Sequence, residues 1–395
     1  MTQPFRRLVL YVPGFDPLPP RRYRELYRRE SRKQALIGGY DLTMDRHPGA
    51  AGLGWATRAR LPGGQARACV EVLIWSDLVQ ASMQAGIPGT YGQMLRVAWI
   101  YVRSGALRRL MRLRRGPVLA GLYPPAMLMA QLLAALLAGG LIAWGIAALS
   151  GMVWPGLACG VAAVWAVLAL ARSQDHRLFA YYLMHDYAFT ASLHGAYPPQ
   201  LEHRLARFTD RLADAMSQDW DEVLVVGHSS GAYLAVSILA DLIRRGPPSG
   251  PELSLLTLGH AVPMASFLPR AQRLRADLAF VSERPDLFWL DVTAPGDPCS
   301  FALCDPVAVT GVAGPGQQWP LVMSAAFTQT LSPSQQRDLR WRWFRLHLQY
   351  LCAFDRPGDF DYFAITAGPL PLAHRFAGRK PSPGRIVTPV GPGLP

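Results

Sequence analysis

Two apolar runs, nearly back to back, constrain this chain more than any other feature. Residues 126–149 hold no Asp, Glu, Lys or Arg, nor do residues 152–171, and only Ser150 and Gly151 separate them. As helices rising 1.5 Å per residue they reach about 36 and 30 Å, each enough to cross a hydrocarbon core. The pattern predicts a two-span transmembrane hairpin. Two strongly apolar helices buried in a soluble core are the competing reading. A hairpin returns the chain to the side it left, so the segments before and after it can build one domain.

Charge sets the orientation. Arg108, Arg109, Arg112, Arg114 and Arg115 precede the runs, Arg172 and Arg177 follow them, and the turn between has no basic residue. The positive-inside rule then puts both flanks in the cytoplasm of a cell inner membrane. The formal net charge is +13, and all of the excess lies in residues 1–115, which hold 20 Lys/Arg and 7 Asp/Glu. Such a surface could attract nucleic acid or anionic lipid, but no nucleic-acid motif accompanies it. Lipid is the expected partner; a solvated basic face that only sets topology is the plainer alternative. The segment Tyr91–Arg115 mixes Trp99, Tyr101, Leu107, Leu110 and Leu113 with arginines, and is expected along the interface or as an ordinary amphipathic surface helix. Five cysteines show no metal-ligand spacing and read as free thiols in a reducing compartment. The first residues lack a long apolar run, so export of the first segment is not expected.

Around the insert, strand and helix signals alternate. Leu8–Val12, Cys69–Trp75, Val223–Val226, Leu253–Leu258 and Phe288–Val292 read as strands. Leu201, Leu205, Phe208, Leu212 and Met216 recur at helical spacing, and Ala232–Ile243 reads as a helix stopped by Gly246-Pro247-Pro248. The expected class is α/β, with a mostly parallel sheet interrupted by the hairpin. The expected parts are a basic N-terminal part of the domain at 1–117, the hairpin at 118–172, the main part at 173–375 and a disordered Pro/Gly-rich tail at 376–395. The stretch Asp16–Arg67 is long enough to supply a lid.

The sharpest chemical signal is Gly227-His228-Ser229-Ser230-Gly231, between a strand run and a helix run. A serine there is forced into a tight turn; glycines two positions either side leave room for neighbouring backbone, and the hydroxyl projects above the sheet. Such a hydroxyl needs a base, and the base an orienting acid. With the order Ser, acid, His, Asp297 is the first choice of acid in a turn just past a strand, and Asp286, Asp291 and Asp305 are rivals. His347 is the expected base, following a Trp/Phe-rich stretch that could be the last strand; His374 is the alternative. His228 should pack under the turn. An oxyanion needs two N–H donors: the Ser230 amide, and one from the Val12–Asp16 loop. Phe15 is the choice there; Asp16 is possible, but its carboxylate should then point away.

These segments resemble α/β-hydrolase lipases, nearest the class 3 lipase pattern. The resemblance rests on Gly-His-Ser-Ser-Gly-Ala, the strand end Leu-Thr-Leu-Gly259, the run Asp291-Val-Thr-Ala-Pro-Gly-Asp297 and His347-Leu-Gln-Tyr350. It covers roughly residues 5–16 and 200–355; the family's elbow usually reads Gly-His-Ser-Leu-Gly-Gly, from which Ser230 and Ala232 depart. The resemblance implies an α/β-hydrolase fold, a carboxylic-ester hydrolase acting on lipid or small esters, and Ser229, Asp297 and His347 as a triad. No HExxH, Gly-rich phosphate loop or H-x-x-x-x-D occurs, so no metal or organic cofactor is implied. An acyltransferase or thioesterase using the same triad, or a non-catalytic membrane protein on this scaffold, are the other classes. His185-Asp186, adjacent in sequence, reads as part of an amphipathic interfacial helix.

Overall fold

The computed structural model describes residues 3–47, 53–246 and 250–394. Among them, eight strands form one sheet: β1 (Phe5–Val12), β2 (Asp41–His47), β3 (Gly54–Leu61), β4 (Gly64–Val72), β5 (Glu222–His228), β6 (Glu252–Leu258), β7 (Phe288–Thr293) and β8 (Leu321–Ser324). Their order in space is β2-β3-β4-β1-β5-β6-β7-β8. Strands β4, β1, β5, β6, β7 and β8 are parallel, and β2 and β3 add an antiparallel edge. The class is α/β, as the alternation of strand and helix signals predicts. The described residues of 16–67 build the helix α1 (Arg21–Gly38), the strands β2 and β3 and the start of β4 rather than a separate lid.

Period-two alternation sends the strand side chains to two cores. Leu8, Leu10, Val223, Val225 and Leu255 face helices α7 (Pro199–Met216), α8 (Gly231–Arg245) and α9 (Gln272–Ser282). Val9, Leu224, Val226, Leu256 and Leu290 face α1 and the C-terminal segments, meeting Tyr23, Tyr27, Phe363 and Ile365. Each such fully buried Leu or Val contributes roughly 2 kcal/mol. The Trp/Phe-rich stretch around Trp343 could, by its sequence, be the last strand. It is a short helix, α10 (Trp343–His347), and the last strand is β8. The α8 helix ends at Arg245, and the Pro247-Pro248 stop signal lies outside the described residues.

Between β4 and β5 come α2 (Ile87–Arg103), α3 (Ala106–Leu113), the long pair α4 (Tyr123–Ser150) and α5 (Val153–Ser173), and α6 (Ala180–Ala191). The sequence pattern of Tyr91–Arg115 becomes α2 and α3, whose Met94, Val97, Ile100 and Leu110 pack with Leu128, Met184 and Phe301. This third cluster ties the base of α4 to the domain. The long pair itself is bare. Both helices are long and apolar enough to cross a membrane, and little of either apolar stretch is buried. Leu137, Leu141, Trp144, Leu149, Trp154 and Val161 are all exposed. The two helices touch through glycine: a Cβ on Gly139 would lie 2.6 Å from the Gly160 carbonyl oxygen, and one on Gly160 2.7 Å from the Gly139 carbonyl oxygen. Small residues of this kind let helix backbones approach closely.

The segment from Phe376, expected to be disordered, is instead tied down through residue 394. Ser382 donates to the Val322 carbonyl (2.9 Å), Ile386 to Leu303 (2.7 Å) and Val390 to Val309 (3.1 Å). Proline and glycine exclude helix here, but the backbone finds acceptors in β8 and in the segment after β7.

Candidate active site

Register builds the site at the C-terminal ends of the parallel strands. Val12 pairs with Gly227, which brings the Pro13–Phe15 loop beside the turn that follows β5. Ser229 occupies that turn with φ 57°, a left-handed conformation rare for a residue with a side chain. The flanking glycines are required sterically. A Cβ on Gly227 would sit 2.6 Å from the Gly231 carbonyl oxygen, and one on Gly231 would collide with the Val12 and Pro13 carbonyl oxygens. Beneath the turn, α8 begins and points its N-terminal amides at the serine.

Asp297 lies in the turn after β7 and is buried. Its Oδ2 takes a hydrogen bond from His347 Nδ1 at 2.7 Å and one from the Tyr350 hydroxyl at 3.0 Å; its Oδ1 takes the Cys299 amide at 2.9 Å. Burial alone would raise the Asp297 carboxyl; the facing His347 and these hydrogen bonds outweigh it and hold the carboxyl below its ordinary range. His347 Nε2 is buried with no partner among the described residues, so a hydrogen bond to Ser229 is not formed. Both side chains line one cavity of about 1000 Å³.

The rivals go elsewhere. Asp291 is buried in β7 and takes the Thr257 hydroxyl, with burial raising its carboxyl well above normal. Asp286 pairs with Arg284, and Asp305 caps the short helix Pro306–Thr310. His374 is largely exposed near Glu252. His228 is buried under the turn with its Nε2 3.0 Å from the His347 carbonyl oxygen, and burial, then the neighbouring His347, lower its imidazole to about 3. Being neutral, it can donate there and fix the backbone of His347.

One expected donor is corrected. The Phe15 amide does not face the cavity free: it donates to Ser230 Oγ at 2.8 Å. The reason is Ser230 itself, whose hydroxyl reaches back to the loop where a leucine could not. The Ser230 and Asp16 amides have no acceptor among the described residues. The Asp16 carboxylate turns away, as expected, to the Tyr23 hydroxyl (2.6 Å) and the Leu18 amide (2.9 Å).

No protein-family model, curated protein or solved structure matches this chain. The reading of the site therefore stands on its geometry.

Sequence reasoning missed the roles of Tyr350, Gly259 and Asp186 and the side-chain contact of Ser230. Tyr350 accepts from the Ala294 amide (2.9 Å) while donating to Asp297; its position three residues after His347 on a helical turn was the available signal. Gly259, with φ 54°, leaves space that any Cβ would fill, 3.0 Å from His347 Cε1. Ser230 acts through its side chain as well as its amide. Asp186 was expected on an interfacial helix, but α6 lies inside the domain: His185 is buried against Gln93, and Asp186 lines the cavity. Burial pushes the Asp186 carboxyl up to about 7, with His347 pulling the other way.

Asp297, Cys299 and His347 hold one potential ligand atom each within 4.8 Å of one another and could in principle surround a metal ion. The thiol argues against it: burial, and then the Asp297 charge, raise Cys299 well above its ordinary range, so the thiolate a metal needs is disfavoured.

Proposed function

We propose that this chain is a membrane-anchored serine hydrolase of the α/β-hydrolase kind that cleaves carboxylic esters, lipid acyl esters among them. The observation that carries the reading is the buried Asp297–His347 pair, with its second imidazole nitrogen unpartnered, lining the same cavity as a strained serine between strand and helix.

In this mechanism His347 Nε2 takes the proton of Ser229 Oγ as the oxygen attacks the ester carbonyl carbon. The oxyanion is held by the amides of Ser230 and Asp16, the latter replacing Phe15, whose N–H is engaged. The C–O bond to the leaving alcohol then breaks, and His347 returns the proton to that alcohol. Water, deprotonated by His347, attacks the acyl-enzyme and releases the acid and free Ser229. Asp297 keeps Nδ1 protonated and stabilises the imidazolium, and Tyr350 holds Asp297 in place. Asp–His geometry of this kind without the serine hydrogen bond is common before substrate binds.

The bare helix pair supports the membrane part. Two helices presenting Leu and Trp to water along their length would be an aggregation surface; in lipid they are ordinary. With arginines at both feet, the reading is a two-span hairpin in the cell inner membrane with the domain on the cytoplasmic side.

A fluorophosphonate probe tests the chemistry. Purified protein should label, and Ser229→Ala should not; equal labelling of both would refute the reading. Labelling without ester turnover would favour an acyl transferase. A periplasm-dependent reporter fused at the C-terminus should stay inactive.

A further inference from the structure

The cavity has two polar zones. One is Ser229 with His347. The other is its mouth, where Arg177, Arg342 and Arg345 line the wall and are exposed. None of the three has an acidic partner among the described residues, in contrast with Arg204 on Asp77 or Arg211 on Glu71. Of the acids lining the cavity, Asp186 is raised by burial toward its neutral form, and Asp16 and Asp175 are hydrogen-bonded. Asp16 takes Tyr23 and Leu18, and Asp175 accepts the Tyr181 and Tyr182 amides at 2.9 Å each. Between the zones the wall is aromatic, including Phe15, Tyr182, Phe179 and Phe344.

The mouth lies between the feet of the long helices. Trp343, between two of the arginines, meets Tyr123 at the start of α4 with ring centroids 5.8 Å apart, and Phe344 meets Phe179, just beyond α5, at 4.5 Å. The Tyr123 hydroxyl bonds the Leu178 carbonyl at 2.7 Å, next to Arg177. If α4 and α5 cross a bilayer, this is the depth of the lipid phosphates.

We infer that the substrate carries a phosphate near its acyl group, and that Arg177, Arg342 and Arg345 hold that phosphate while the aromatic wall receives the acyl chain. Guanidinium forks match phosphate oxygens, and several converging on one anion give specificity as well as attraction. The inference rests on the hydrolase reading and names the substrate class for the same site. A glycerophospholipid and an acyl thioester of a phosphate-bearing carrier share this chemistry; the place of the mouth, at the helix feet, favours the phospholipid.

The test uses the full chain in detergent, with substrates below their micelle concentrations so that no charged surface contributes. Dihexanoyl phosphatidylglycerol is compared with dihexanoylglycerol, and hexanoyl-coenzyme A with hexanoyl-N-acetylcysteamine. In each pair only the first carries phosphate. The wild type should prefer the phosphate-bearing member of at least one pair by about tenfold or more in kcat/KM. The pair that shows the preference identifies the source.

In R177Q/R342Q/R345Q that ratio should fall to near one. It is read within each protein, so a general loss of activity cancels; the single variants serve if the triple fails to fold. R108Q/R112Q/R115Q, whose exposed arginines lie outside the cavity, should keep the ratio. No preference in the wild type, or one that survives the triple and the single variants, overturns the inference and leaves the hydrolase reading intact. Failure of every ester together with failure of Ser229 to label overturns both.

Discussion

The sheet and the helix pair treat apolar side chains in opposite ways. Along β1 and β5 every Leu and Val is buried, and several of the polar groups that go inside are paired: Arg7 with Glu222, Thr257 with Asp291, His347 through Nδ1 with Asp297. Along α4 and α5 leucines and tryptophans stand in the open, and the helices hold each other by backbone contact at Gly139 and Gly160. One region is built to exclude its solvent; the other suits a solvent that needs no excluding. They meet at the cavity, whose floor is sheet and whose mouth is helix feet, so the proposed chemistry and the proposed anchoring can be perturbed separately.

The largest effect should come from the floor. Asp297→Asn keeps the shape but removes the charge that fixes the His347 tautomer, and kcat on a water-soluble ester should drop roughly a thousand- to ten-thousandfold. A drop of tenfold or less would mean that another acid orients His347. Tyr350→Phe removes one bond to Asp297 and leaves the Ala294 amide without its acceptor; about 1–3 kcal/mol, or roughly 5- to 150-fold in kcat, is expected. Gly160→Leu strikes the helix pair instead. It should force α4 and α5 apart and destabilise the pair by about 1–3 kcal/mol, read as lost helix crosslinking between cysteines placed on α4 and α5. Turnover of the water-soluble ester should change less than twofold, and a large change there would deny the separation of floor and anchor.

The smallest effect concerns Asp186. Folding keeps its carboxyl protonated up to about pH 7, whereas an unfolded carboxyl ionises near pH 4. The native state therefore holds the extra proton between these values, and this contribution to stability, full below about pH 4, is lost as pH rises through 7. The total change in stability over that range should be on the order of 1 kcal/mol, discounted because the side chain is partly exposed. Asp186→Asn should flatten the pH dependence of the melting temperature over that range.

Much of the sheet was legible because buried parallel strands read as short apolar runs: Leu8–Val12, Val223–Val226 and Leu253–Leu258 fall inside β1, β5 and β6. The two helices were legible because lack of charge over such lengths has few explanations. Trp343–His347 misled because aromatic residues suit strands locally, while here they serve to bridge to Tyr123 and Phe179. The tail misled because composition reports poor helix and strand formers and says nothing of acceptors waiting at Val309 and Val322. At the site, Asp297 and His347 followed from position. The engagement of the Phe15 amide depended on where one hydroxyl points, which spacing does not encode.

The register of β1 has a consequence for how the chain is made. β1 lies between β4 and β5, and residues 73–221 separate these two in sequence. During synthesis β1 can pair with β4 early, but its other edge stays open until β5 emerges, about 8–30 s later at ordinary elongation rates. An unpaired edge is a site for wrong partners. The apolar pair emerges within this interval. If the proposed hairpin holds, a ribosome engaged with membrane insertion would carry the half-built sheet to the bilayer before its closing strand exists, and the serine turn would be completed only there.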